Sequence, residues 1–146
     1  MTGAALPDLP DDQVALLATV GAEGPTVIPV SALHRVDERT LLFALKTDRA
    51  SRKRLRDDAR VAISLSGAGF SVSARGRALV AADPLPGAET MTAFRFRIER
   101  AWDARGPATE VEEGIRWRWT AATSADRHGI VLAALASLAA DSIPGP

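Results

Sequence analysis

The chain has 146 residues, with 18 Lys and Arg balanced by 18 Asp and Glu, two histidines and no cysteine. That length suits one domain, over residues 1–146, able to bury about 68–70% of its unfolded surface, and the lack of cysteine removes disulfides, thiolate metal sites and cysteine nucleophiles and leaves little for a zinc site. No apolar run approaches the roughly 20 residues of a membrane span, and the opening MTGAALPDLPDD has neither a basic start nor an apolar signal core, so the sequence reads as a soluble, cytoplasmic protein with no membrane partner.

In chain order, Pro10-Asp11-Asp12 followed by Val14, Leu17 and Ala18 predicts a short helix with an acidic first turn. Gly21 to Pro25 is turn chemistry, and TVIPVSAL after it predicts a strand with Pro29 at an edge or bulge. TLLFAL predicts a buried strand that pairs with it as a hairpin, and TDRASRKRLRDD, residues 47 to 58, predicts a helix. RVAISLS, the alternating segment Phe70 to Ala82, MTAFRFRIERAW and GIRWRWT complete the strands, and an alanine-rich helix runs from Asp126 to Ala140. The pattern is mainly β with flanking helices, and five or six strands with regular turns predict a small barrel ending in a C-terminal helix.

The helix at 47 to 58 carries its charges against its dipole. Cations crowd its opening turns and Asp57 and Asp58 close it, whereas a helix start favours anions. Residues 46 to 60 alone hold seven Lys and Arg against three Asp. With Asp48 as N-cap and Ser51 in the first turn, a phosphate docked there reverses the argument: Arg52, Lys53 and the Ser51 hydroxyl then neutralise a dianion through charge-assisted hydrogen bonds. The ordinary alternative is a solvated, arginine-rich face.

The order of these motifs resembles the FMN-binding split-barrel proteins of the pyridoxamine 5′-phosphate oxidase-like group. The matching residues are Gly24 to Val30, Leu41 to Leu45, Ser51-Arg52-Lys53 with Leu55, Arg60-Val61-Ala62, and Ser73-Ala74-Arg75-Gly76. The resemblance implies a six-stranded antiparallel split barrel and a homodimer with the cofactor in clefts between subunits. It implies FMN with its phosphate on Ser51, Arg52 and Lys53, and its ring beside the strand from Ile28 through Pro29, Val30 and Ser31. Leu45, Arg75 and Trp117 complete the candidate contacts, with Thr47 as the hydroxyl after the aromatic strand residue. It further implies a flavoprotein oxidoreductase that moves a hydride to or from a small conjugated substrate, the flavin supplying the redox chemistry. The Arg-Leu-His-Asp-Arg substrate motif of true pyridoxamine 5′-phosphate oxidases is absent, so that activity is not expected. Relatives with this fold also include binders of the deazaflavin coenzyme, haem and biliverdin, so a deazaflavin-dependent reductase and a non-catalytic flavin, haem or tetrapyrrole carrier stand as alternatives. Haem is the poorer one, with only His34, His128 and Met91 as axial ligands.

Other residues carry two readings each. His34 and His128 are candidates to meet a ligand, with a structural role as the ordinary alternative. Trp117 and Trp119 share a face with Ile115 and suit core or dimer packing. Arg75, Arg77, Arg116 and Arg118 either reach the cofactor cleft or keep a strand face soluble. Phe94, Phe96, Trp102, Trp117 and Trp119 together exceed what one small barrel hides, which also predicts a dimer. Neutral charge and the absence of tyrosine speak against nucleic acid as a partner.

Overall fold

The computed structural model describes residues 5–141 of the chain. Among the described residues seven strands form one antiparallel sheet: β1 (Ala15–Gly21), β2 (Gly24–Val30), β3 (Leu33–Asp37), β4 (Thr40–Lys46), β5 (Arg60–Gly67), β6 (Phe70–Ala82) and β7 (Met91–Asp103). Their order is β2-β1-β5-β6-β7-β4-β3. One apolar cluster takes residues from all seven, including Val30 and Leu33 from the two edge strands, so the sheet curls around it into the split barrel. Phe43 and Phe94, register partners on β4 and β7, stack inside it with centroids 5.3 Å apart.

Two helices attach to this barrel. The first, α1 (Ala50–Asp57), connects β4 to β5 and buries Leu55 in the core. The second, α2 (Ala122–Asp141), buries Val131, Ala134, Leu135 and Ala139 against a second apolar cluster that includes Leu42 and Ala44. Strand β4 therefore has no solvent face: Leu41, Phe43 and Leu45 point into the barrel, and Leu42 and Ala44 meet α2. That explains its unbroken apolar run, since a strand covered on both sides needs no alternation.

Several expectations are corrected. The short helix expected from Pro10 is instead a turn, closed by Gln13 N–H donating to the Pro10 carbonyl at 3.1 Å, followed by strand β1. Ala15, Leu17 and Thr19 are buried while Leu16 faces out, so the period of two prevails over the helical spacing of Val14, Leu17 and Ala18. The segment TVIPVSAL is split between β2 and β3 by Ser31 and Ala32. Its first part pairs with β1 and only its second makes the hairpin with β4, while Pro29 sits on an edge strand as expected. These changes add two strands to the expected six, and the loss of one at GIRWRWT leaves seven. The segment GIRWRWT is no strand; residues 104 to 119 form an extended arm outside the sheet. The helix expected at 47 to 58 is shorter, and Arg49, not Asp48, stands at its N-cap, with no side-chain hydrogen bond there. Phe94 and Phe96 are fully buried within the barrel and ask for no partner surface.

Candidate functional site

The cations of α1 divide into two sets. Arg52 donates through Nε to Thr92 Oγ1 at 2.9 Å and through Nη2 to Asp83 Oδ2 at 2.6 Å, while Thr92 donates to the other oxygen of Asp83 at 3.1 Å. Arg54 donates to Thr19 Oγ1 at 2.9 Å and to Ser51 Oγ at 2.7 Å. These two arginines fasten α1 to strands β1 and β7 and to the end of β6. The hydrogen bond from Arg52 is the main cause that holds the Asp83 carboxyl below the usual carboxylate range, with a smaller contribution from Thr92. Ser51 is 2% exposed and serves Arg54, so the hydroxyl expected to meet a phosphate is committed inside the protein. Lys53 is exposed on the outer side of the helix.

The cations left over lie just before the helix. Lys46, Asp48 and Arg49 border a groove of about 670 Å³, within the range of about 300–1,000 Å³ typical of small-molecule sites. Its floor is backbone and small side chains, from Pro29 to Ala32 where β2 passes into β3, and Ala44 and Leu45 at the end of β4. Thr90 and Met91 form one bank. Trp117 and Trp119 of the arm, with Ser124, Arg127, His128, Ile130 and Val131 of α2, also line it.

The roof follows from how arm and helix are held. Gly69 N–H donates to the Val111 carbonyl at 2.8 Å, and Gly114 passes so close to β5 that a Cβ there would overlap the Ser66 carbonyl. Three residues on, Trp117 reaches the groove. It meets Trp119 edge to face with centroids 6.4 Å apart, and Trp119 lies against His128 at 5.1 Å. His128 shares a helix face with Val131 and Leu135, three and seven residues on, whose burial turns the imidazole toward the groove. Burial lowers its pKa below the ordinary value of 6.5, so it is neutral at pH 7.

Of the residues expected to hold a cofactor, the structure brings Pro29, Val30, Ser31, Leu45 and Trp117 to this groove. Ile28 packs against the barrel core, and Thr47, between two groove residues, does not itself line it. Ser51, Arg52 and Lys53 also stay outside it, and Arg75 lines a different groove on the outside of the sheet. Sequence reasoning missed Lys46, Asp48 and Arg49 as lining residues; of the two candidate histidines the groove takes His128, which a helix-face reading with Val131 and Leu135 signals. His34 is half-buried on edge strand β3, away from the groove, and Arg116 and Arg118 are exposed on the arm. Among the described residues, no helix is long and apolar enough to cross a membrane.

The groove brings together three cations, Lys46, Arg49 and Arg127, with one carboxylate, Asp48, the edge-to-face pair Trp117 and Trp119, and apolar and small side chains, which fits a flat heteroaromatic ring with an anionic tail. The barrel is similar to known structures at low identity. One is a pyridoxamine 5′-phosphate oxidase-like protein of Lactobacillus delbrueckii, with TM-score 0.58 and 19% identity over 70% of this chain and 97% of that one. An FAD-binding protein of Mesorhizobium loti matches with TM-score 0.53 and 17% identity over 61% of this chain and 83% of that one. An F420 reductase matches with TM-score 0.53 and 17% identity over 66% and 98%. No curated protein matches the sequence. The family model described as pyridoxamine 5′-phosphate oxidase matches residues 1–125, from the N-terminus through all seven strands, the arm and the first turn of α2. The chain thus belongs to the pyridoxamine 5′-phosphate oxidase family.

Proposed function

We propose that the groove holds a flavin-type cofactor, FMN in the first place and the deazaflavin coenzyme as its alternative, and that the protein is an oxidoreductase acting on a small conjugated substrate. The observation that carries this reading is that one groove is lined both by Lys46 and Arg49, which have no ion pair among the described residues, and by Trp117 and Trp119 together with apolar side chains. The solved neighbours that are an FAD-binding protein and an F420 reductase support the class of cofactor.

When bound, such a cofactor supplies the hydride chemistry. The residues of this chain do the rest. Arg49 and Lys46 attract the phosphate, assisted by the positive start of α1, whose N-cap brings no side chain of its own to the free N–H groups. Pro29, Val30 and Leu45 give the ring a dry floor, and Trp117 with Trp119 covers it from water. His128, neutral and half-buried, presents a hydrogen-bonding edge to that space.

A homodimer belongs to this proposal. Trp117 and Trp119 remain 43% exposed and Ile130 55% exposed at the groove rim, a surface that a second subunit would cover. Light scattering that finds only monomer overturns that part. Haem is a second reading, because Met91 and His128 line the same groove and could serve as axial ligands.

The deciding experiment is an absorption titration of the purified protein with FMN, the deazaflavin coenzyme and haem in turn. Saturable perturbation of a flavin or deazaflavin band supports the reading, and turnover with a conjugated acceptor separates an enzyme from a carrier. A Soret shift alone moves the assignment to haem, and no response to any of the three refutes the cofactor reading.

A further inference from the structure

Away from this groove, the outer face of β5, β6 and β7 sets arginines side by side. Arg60 lies directly opposite Arg77, and Arg77 directly opposite Arg97, so three guanidinium groups form one transverse row. In the next row Arg75 is opposite Arg100. Like charges facing each other across strands are destabilising, and this face offers little relief. Asp58 pairs with Arg60 at 2.6 Å, Glu99 lies 3.9 Å from Arg77, and Arg100 sits 5.9 Å from the Trp102 ring. Among the described residues, the side chains of Arg75 and Arg97 have no ion pair and no hydrogen bond.

Beside these rows is a groove of about 440 Å³ floored by Ala18, Val20, Ala62 and Gly76. Arg60, Arg75 and Arg77 stand on its rim. Small side chains on neighbouring strands make the hollow, and the bulge on β7 opposite Arg75 and Gly76 leaves Glu99 as the unpaired residue that lines it beside Arg77.

We propose that this is a second binding site, for a small amphipathic anion: a phosphate or carboxylate group carried on an apolar body. Guanidinium forks match the planar, bidentate geometry of both anions, and the alanine floor receives the apolar part. An occupant there removes the repulsion between rows that the empty face retains. Glu99 decides for a compact ligand over a nucleic-acid backbone, because an extended run of phosphates across the row meets that carboxylate. The site shares no residue with the Trp117 groove and does not depend on what that groove binds.

The test uses phenyl phosphate as probe, with inorganic phosphate and phenol as its separate halves, titrated calorimetrically into the full chain. The expected result is tighter binding of phenyl phosphate than of either half, weakened about tenfold by Arg75→Gln or by Arg77→Gln. Ligand-free Tm in both variants should equal or exceed that of the parent, because a like-charge contact is lost, and FMN binding should be unchanged. Equal phenyl phosphate affinity in parent and variants overturns the proposal. So does salt-steep binding of a single-stranded oligonucleotide without phenyl phosphate binding, which makes the face a nucleic-acid surface, or a change of oligomeric state in the variants, which makes it an interface between copies.

Discussion

Shortening Leu135 to alanine tests whether α2 is a separable wall of the groove. Leu135 is fully buried and Val131 is 9% exposed, the two largest of the buried side chains by which the helix docks on β3 and β4, beside the partly buried Leu138; Ala134 and Ala139 add little. Burying a Leu or Val contributes about 1.5–3 kcal/mol each, so docking rests on roughly 3–6 kcal/mol before the entropy of ordering the helix is subtracted. Leu135→Ala costs about 2–5 kcal/mol, enough to bring docking close to balance. The barrel core, which contains no residue of α2, is left intact. Native-state hydrogen exchange is the assay: amides of α2 should lose most of their protection in the variant while those of β5, β6 and β7 keep theirs. Affinity for the groove ligand should fall in parallel, because His128, Ile130 and Val131 leave with the helix. If protection falls equally in sheet and helix, α2 unfolds only with the barrel and the separable-wall argument is wrong.

Three further outcomes follow from the same geometry. Gly114→Ala should lift the arm from the Ser66 carbonyl and draw Trp117 off the groove; ligand affinity should drop with little change in Tm, and an unaltered titration would show that the arm adds nothing to binding. Arg49→Glu should weaken FMN binding much more than Lys53→Glu, since Arg49 lines the groove and Lys53 does not; the reverse order, read from the same absorption titration, would return the phosphate to the helix flank. Stability should fall in two stages on acidification. The folded-state pKa of His128 is lowered from 6.5, so the unfolded chain binds its proton first and stability declines as pH drops below 6.5, a stage that His128→Gln removes. Asp58 and Asp103 are each lowered from 3.8 to about 2, chiefly by hydrogen bonds from Arg60 and Arg105, so their contribution is complete above 3.8 and lost as pH falls toward about 2. Denaturant melts across pH for Asp58→Asn and Asp103→Asn should show the second stage shrink.

The barrel was largely legible because period-two patterns are local. Phe70 to Ala82 was read to the residue, and the apolar run of β4 was readable because burial on both faces abolishes alternation. Reading failed where the deciding neighbour is distant in sequence. Nothing near Leu17 announces that β5 lies beside it, and nothing near Trp117 says that the arm, tied to β5 and the β5–β6 turn by Gly114 and Val111, passes outside the sheet instead of joining one of its edges. The site was half legible for a related reason. Pro29, Val30, Ser31 and Leu45 lie in or next to apolar segments that the pattern locates, whereas the partners that occupy Arg52 and Arg54 are Thr92, Asp83 and Thr19, at separations of 31 to 40 residues that no local rule can supply.

Those partners answer the question posed by a basic helix start. Cations at a helix N-terminus cost stability only if they remain as point charges against the dipole. Arg52 spends its charge on Asp83, and Arg54 spends its donors on two hydroxyls, so each acts as a tie between helix and sheet. The ties fix the first turn of α1 against the end of the barrel and thereby fix Arg49, one residue outside it, at the mouth of the groove. An exposed arginine on a frayed helix would lose side-chain entropy on meeting a phosphate and would have to order its backbone as well. Here the backbone is already ordered by its neighbours, and Arg49, which lines the groove, is not one of the two arginines that tie the helix to the sheet. A charge-swapped pair, Arg52→Asp with Asp83→Arg, should therefore preserve FMN affinity if tethering is the whole role of Arg52. Loss of binding in the folded double variant would show that Arg52 itself contributes to the phosphate site.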